Sequence, residues 1–464
     1  MDATARPPGR AQLLTGARFY FDADLRPVRP LNDWLTEIST AHPLETVKSY
    51  GYEVARFSDF LEVEFDTTLL GEDLLADGDR YLRAYNAHLV RPEALSSDSL
   101  APKGASRSVV GKVRAALHSF YRFCTYDRRI ESFPFTLVTT STRYGDIETL
   151  AYMRGGRITD PFRDPIPSSQ LDDYYFVGLL GTLPDGSVDT GFGSWQSAQR
   201  NAAGFGLGVG LGLRHREILG TTIFEVPRAH PDGLTPARVA GGIAKGGHSR
   251  KVVGLSQWLL PVHRYISGDR RSIARRATWR PERAWVVDPM RTTQFEVVVE
   301  TPNGRHETHR WNDLNHEQRA RLMMPRGGSP MVLLDHSKKN GAPLRDDDSL
   351  NSALALAGRR CQQHWPALDW SYTAHHLRHT FATELTMLLA ESDQVVANFK
   401  AQHGRPPVWA SMLMRQDKSR IVQDSMGHRS VTTTHGYNRA AMWSLLISVA
   451  ADPEHNPAIR EERP

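Results

Sequence analysis

Cysteine is almost missing from this chain: Cys124 and Cys361 are the only two in 464 residues. That excludes a disulfide scaffold and suits a reducing cytosol. Long apolar runs are missing too. No stretch reaches the roughly 20 residues that cross a bilayer, and the opening MDATARPPGR has no hydrophobic signal core. The expectation is a soluble, cytoplasmic protein with no membrane partner. Lysine is scarce as well, nine of 57 basic residues, so a lysine that falls within a motif carries weight.

What is present is enough apolar residue for real cores, 40% of the chain, in a length that suggests two or three domains. A pI near 9.1 and a net charge of +5 point mildly to a polyanionic partner. Residues 1–43 hold several prolines and little periodicity, and read as an N-terminal arm with one short ordered piece around Phe19 to Phe21. From Thr46 onwards Val47, Tyr50, Val54, Phe57 and Leu61 recur at helical spacing. A second helix is predicted over Asp79 to Leu89 and a third over Ser108 to Tyr126. In the third, Val110, Val113, Leu117, Phe120 and Cys124 share one side, while Arg107, Arg114, His118 and Arg122 share another. A basic helix face is a solvated surface or a polyanion contact; pattern alone leaves both open.

Residues 137–167 lack a sustained period and read as a linker, and a second domain is expected over 168–450 with a polar tail at 451–464. Its first long helix, from Ser194 or Trp195 through GFGLGVGLG, is so rich in glycine that burial must compensate for poor propensity. A dinucleotide site is not inferred there, because no strand precedes the glycines. Segments of about 257–330 and 388–420 read as insertions. The first contains a hairpin from Phe295 to Arg310 turning at Asn303-Gly304, then helical composition from Asn312 to Met324. A short strand at Met331 to Leu334 and a helix from about Asp348 to Cys361 follow.

The chemistry concentrates in two stretches, Ala374 to Thr383 (AHHLRHTFAT) and Met426 to Tyr437 (MGHRSVTTTHGY). Helical spacing puts His375 and Arg378 on one face, and Tyr437 lies nine residues beyond His428. Histidines, an arginine and a tyrosine without a nearby carboxylate suit a phosphate better than a metal.

H-x-x-R, then G-H, then a tyrosine nine residues on resembles the tyrosine recombinases, the family of phage-type integrases. That family also requires an arginine in a G-L-R-x-x-E context, matched at Arg214 with Glu217, and a lysine in a β-hairpin, matched at Lys245 in IAKGGHSRKVVGL. The resemblance implies a mainly α fold with a small antiparallel sheet. It also implies a two-domain C-shaped clamp on double-stranded DNA, in which a helical SAM-like core-binding domain, residues 44–136, precedes the catalytic domain. Arg107, Arg114, His118 and Arg122 then become DNA contacts. Arg214 and Arg378 would clamp the phosphate, His375 would manage the tyrosine proton and His428 would bond the phosphate. Lys245 would protonate the leaving 5′ oxygen, and Tyr437 would form a 3′-phosphotyrosyl link. The chemistry asks for no metal and no cofactor. A homotetramer on synapsed DNA, exchanging C-terminal helices, and nucleoid association are further implications, with an accessory directionality factor left open.

Alternatives stand beside these. Arg216 competes with Arg214, Lys251 with Lys245, Tyr372 and Tyr126 with Tyr437, and His375, His376, His379 and His428 could be grouped as a zinc site. At the level of function, a type IB topoisomerase-like relaxase shares the chemistry without synapsis, and a non-catalytic DNA-binding regulator shares the scaffold.

Overall fold

In the computed structural model the described residues are 18–22, 24–90, 104–142, 145–155, 165–189, 191–192, 195–230, 233–336, 341–344, 347–407, 410 and 417–427. The chain divides into two compact units, Met1–Pro161 and Phe162–Pro464. Among the described residues the fold is mainly α with small sheets, and no helix is long and apolar enough to cross a membrane.

The first unit is built from α1 (Arg29–Ile38), α2 (Leu44–Phe65), α3 (Glu72–Ala76), α4 (Gly78–Val90) and α5 (Arg107–Tyr126). The apolar stripes of α2, α4 and α5 face one core: Val47, Val54, Phe57, Leu61, Leu82, Tyr85, Leu89, Val110, Val113, Leu117, Phe120 and Cys124 are all buried. Two parts of the sequence reading need correction. The N-terminal arm of residues 1–43 contains a core helix: α1 buries Leu31, Trp34, Leu35 and Ile38, and Trp34 packs edge-on against Phe120 at 5.5 Å. An ion pair of 2.7 Å from Asp33 to Arg129 ties α1 to the chain after α5. Its signal was present in the i, i+3, i+4, i+7 spacing of those four residues and in Pro30 at the first turn, where proline is favoured. The linker of residues 137–167 likewise holds an antiparallel hairpin, β1 (Leu137–Thr142) with β2 (Gly145–Leu150), whose Leu150 reaches the core.

The second unit is organised around α7 (Trp195–Leu211), whose residues 202–211 are all buried. It follows α6 (Ser168–Asp173) and a π-helical turn, Tyr174–Leu179. Glycine is required here by close packing. A Cβ at Gly206 would lie 2.4 Å from the Trp258 carbonyl oxygen, and one at Gly208 would lie 2.8 Å from Leu377. These approaches seat α9 (Ser256–Ser267) and α13 (Ala374–Ala390) directly on α7, and offset a propensity cost of about 1 kcal/mol per glycine. Between α7 and α9 come α8 (His215–Gly220) and the antiparallel pair β3 (Leu234–Val239) and β4 (Arg250–Leu255).

The insertion expected at about 257–330 carries α10 (Asp269–Arg275), β5 (Trp285–Val287), β6 (Glu296–Glu300), β7 (His306–Arg310), α11 (His316–Arg319) and β8 (Leu322–Met323). The hairpin of β6 and β7 turns at Gly304, which has a φ of 72°. The four strands are ordered β7-β6-β5-β8, and β8 runs parallel to β5, so this sheet is mixed rather than antiparallel. The helical composition of Asn312 to Met324 yields only a 3-10 turn, Trp311–Asp313, and the single turn of α11, because Leu314 and Leu322 on either side of α11 are drawn into the core as extended chain. Short strands β9 (Leu334–Asp335) and β10 (Ala342–Pro343), then α12 (Asp347–His364), α14 (Ser392–His403) and α15 (Lys418–Met426) complete the described elements.

Candidate active site

α7 ends at Gly212, which has a φ of 59° and so little space that a Cβ would lie 2.3 Å from Phe381. This left-handed stop turns the chain so that Arg214 becomes the N-cap of α8. The cap is made in reverse: the Glu217 carboxylate accepts the Arg214 backbone N–H at 2.8 Å and its Nη1 at 3.0 Å. Glu217 is 1% exposed and also accepts both terminal nitrogens of Arg250, at 2.8 and 2.6 Å. Burial pushes its carboxyl up, but the Arg250 bonds and charge, helped by the Arg214 N–H, outweigh burial and hold it down at about 2. Glu217 is therefore a fixed anion whose task is to hold two guanidinium groups.

Lys245 lies between β3 and β4 in a tight connection with positive φ at Gly246 (79°) and Gly247 (74°). Its side chain is exposed. Opposite this loop is the C-terminal end of α15. There the Ser425 carbonyl accepts Arg250 Nε at 3.0 Å, and the Met426 carbonyl accepts Arg378 Nη2. Arg378 Nη1 donates to the Gly212 carbonyl. Two buried arginines thus close the C-terminal end of a helix, where cations are favoured, and Gly427 (φ 61°) ends it.

The result is a cavity of about 710 Å³ lined by Arg214, Lys245, His248, Arg250, Lys251, Asp424 and Gly427 among others. Four of these are basic side chains, against the Asp424 carboxylate in the lining and Glu217 paired to Arg250, so the balance is positive and suits an anion with several oxygens. Lys245 and Lys251 both line it, so the geometry does not separate them.

The sequence candidates distribute as follows. Arg214 and Lys245 meet in the cavity. Arg378, expected as the second phosphate clamp, is 2% exposed and gives Nη1 and Nη2 to the carbonyls of Gly212 and Met426. These bonds join the chain entering Arg214 to the chain leading to His428. His375 is exposed in the first turn of α13, with its ring centroid 4.5 Å from that of His379. His376 turns the other way: its Nδ1 accepts the Thr373 N–H at 3.0 Å and caps α13. His428 and Tyr437 lie outside the described residues. Sequence reading missed Arg250. Its only signal was position, at the start of the strand after the lysine loop. Among the described residues no cluster of three or more His, Cys, Asp or Glu could hold a metal ion.

On α5 the four basic residues do share a face, but not equally. Arg122 is ion-paired with Glu148 of β2 at 3.2 Å. His118 is half-buried against Phe133 at 5.7 Å, and burial together with Arg122 lowers its pKa. Arg107 is exposed and Arg114 half-buried.

No protein-family model matches the sequence, and no curated protein is similar enough to count as a relative. Solved structures similar to the chain include recombinases and a transposon integrase. The XerH site-specific recombinase bound to a palindromic difH substrate has 13% identity and a TM-score of 0.45, over 89% of this chain and 82% of that one. The Tn1549 transposon integrase in complex with transposon right-end DNA has 13% identity and a TM-score of 0.42, over 91% and 99%. XerA recombinase has 12% identity and a TM-score of 0.32, over 90% and 97%. Likeness at this level assigns no activity to the chain; that rests on its residues.

Proposed function

We propose that this chain is a site-specific DNA recombinase of the tyrosine type, a DNA-integrating enzyme that cleaves and rejoins strands through a 3′-phosphotyrosyl intermediate. The observation that carries the reading is the convergence of Arg214, Lys245 and the last residues before His428 on one cationic cavity, with Arg378 bridging two of the three segments. Residues far apart in sequence, chosen for phosphate chemistry, support one site.

In the proposed reaction the Tyr437 oxygen attacks the scissile phosphorus and its proton passes to His375. The bond from phosphorus to the 5′ oxygen breaks, and Lys245 gives that oxygen a proton. Arg214 and His428 bond the non-bridging oxygens, where charge accumulates. Arg378 contributes by fixing the two segments that present them. Attack by a 5′ hydroxyl of a second strand reverses the sequence, so the link conserves the energy of the broken bond. The first unit would close the other side of a C-shaped clamp, and the tail beyond Tyr437 would pass to a neighbour in a tetramer.

The testing experiment is a synthetic duplex carrying the target site, found by sequencing the junctions flanking the element that encodes the chain. Wild type should recombine it without divalent metal. Relaxation of plasmid lacking the site would favour the topoisomerase reading instead.

The α5 face gives a graded expectation. Replacing Arg107 and Arg114 together by Gln should lower the slope of log K against log salt by about 2, near one per phosphate contact. Arg122→Gln should change it by less than 1, because Glu148 already neutralises that guanidinium. Filter binding across a salt series measures both, and equal slopes in all variants would remove α5 from the DNA interface.

A further inference from the structure

Beyond α9, the insertion reaches the candidate site through a short segment, Trp311 to Arg319. Arg319 is 1% exposed, yet all five of its N–H bonds are used. Nε donates to the Leu314 carbonyl at 2.9 Å, Nη1 to the Gly220 carbonyl at 2.8 Å and to Glu225 at 2.6 Å, and Nη2 to Glu225 at 3.0 Å and the Trp311 carbonyl at 2.8 Å. Gly220 is the last residue of α8, the helix that Arg214 caps. The same segment reaches the lysine loop. Asn312 accepts the Gly241 N–H at 3.0 Å, and Gly242 approaches so closely that a Cβ would lie 2.1 Å from the Leu314 carbonyl oxygen. Gly241–Ile243 is the 3-10 turn immediately before Ala244 and Lys245.

A surface insertion needs no buried arginine, and burying one costs several kcal/mol unless every donor is met. Here every donor is met, and the acceptors belong to the segment itself, to the end of α8 and to Glu225 in the turn that follows it. We infer that Trp311 to Arg319 is a positioning brace that sets Arg214 and Lys245 relative to one another, with Arg319 holding α8 and Asn312 holding the lysine loop. The inference rests on the proposed recombinase reading for the roles of those two cations, while the brace itself rests on the bonds above. Neither Arg319 nor Asn312 lines the cavity among its principal residues, so both act through others.

Two variants test it. Asn312→Ala removes one hydrogen bond at a half-buried position. Arg319→Met combined with Glu225→Gln removes the guanidinium without leaving a buried carboxylate alone, and keeps an acceptor for Thr222, which Glu225 holds at 2.9 Å. Each should slow adduct formation on a nicked duplex by about tenfold to a hundredfold, the scale of a small misplacement at a reacting centre. The discriminating readout is the substrate. A bridging sulfur at the 5′ position leaves without protonation, so the Asn312→Ala loss should shrink there. A methylphosphonate at the scissile position has no non-bridging charge, so the loss in the Arg319 and Glu225 pair should shrink on that one. An equal loss on every substrate, or no loss, overturns the brace. If wild type itself forms no adduct, the recombinase reading has failed and hydrogen exchange decides the brace. The Gly241 amide should exchange faster in Asn312→Ala, and the 214–222 amides faster in the paired variant, while α7 stays unchanged; unchanged exchange at both places overturns it.

Discussion

Tyr437→Phe should bind target DNA as wild type does and form no covalent adduct. On a nicked substrate, which lets the 5′ fragment diffuse away, wild type should accumulate a protein–DNA link that survives denaturation. Phenylalanine removes only the attacking oxygen, so the loss should exceed about 10³-fold, the scale seen when a nucleophile is deleted. Arg214→Ala should also lose most of the adduct, by about 10²–10³ in rate, because the charge growing on the non-bridging oxygens loses a preorganised donor. Denaturing gels measure both, and peptide mapping places the link. A link on Tyr372 or Tyr126 would move the nucleophile. Tyr372 is a weak competitor, because it is buried with its hydroxyl donating to Gln170 at 2.6 Å, and burial and Asp369 raise it to about 12. Cleavage that needs a divalent metal and leaves no link would overturn the mechanism.

Glu217→Gln should be the most damaging single change to the stability of the second unit. It leaves Arg250, whose side chain is 7% exposed, without its counter-charge, and breaking a buried pair from one side costs about 3–5 kcal/mol. For a unit of this size that lowers Tm by on the order of 10 °C. The effect has a definite pH dependence. The folded carboxyl sits at about 2, below its ordinary 4.5, so the carboxylate contributes about 3 kcal/mol above the unfolded value. That contribution fades as pH falls from about 4.5 towards 2. The gap between wild type and Glu217→Gln in urea midpoint should therefore be full at pH 7 and smaller at pH 3. A gap independent of pH would mean that packing, not the ion pairs, is what Glu217 supplies. Activity should fall with stability, since the neutral amide keeps only one oxygen for the four N–H groups of Arg214 and Arg250 that the carboxylate holds.

The sequence by itself determined the local elements and singled out the residues proposed to handle phosphate. Helical stripes such as Val47 to Leu61 and Val110 to Cys124 were readable because period and burial are the same physical fact seen twice. Asn303-Gly304 announced its hairpin because few dipeptides tolerate that turn. The G-L-R-x-x-E and lysine-loop stretches were readable as a pair from their motifs, and the fold brings Arg214 and Lys245 to one cavity. The tertiary structure alone decided which partners each charged group meets. Arg378 and Arg214 look alike in sequence, yet Arg378 bonds two carbonyls at the ends of α7 and α15 while Arg214 bonds Glu217 and lines the cavity, since only the fold sets which acceptors each guanidinium meets. Arg122 is exposed but meets Glu148 on a hairpin read as linker. Arg250 and Arg319 were unreadable because a buried arginine is defined by acceptors 33 and 94 residues away. Periodicity reports which face of an element is apolar; it carries no information about which distant oxygen will meet a given guanidinium.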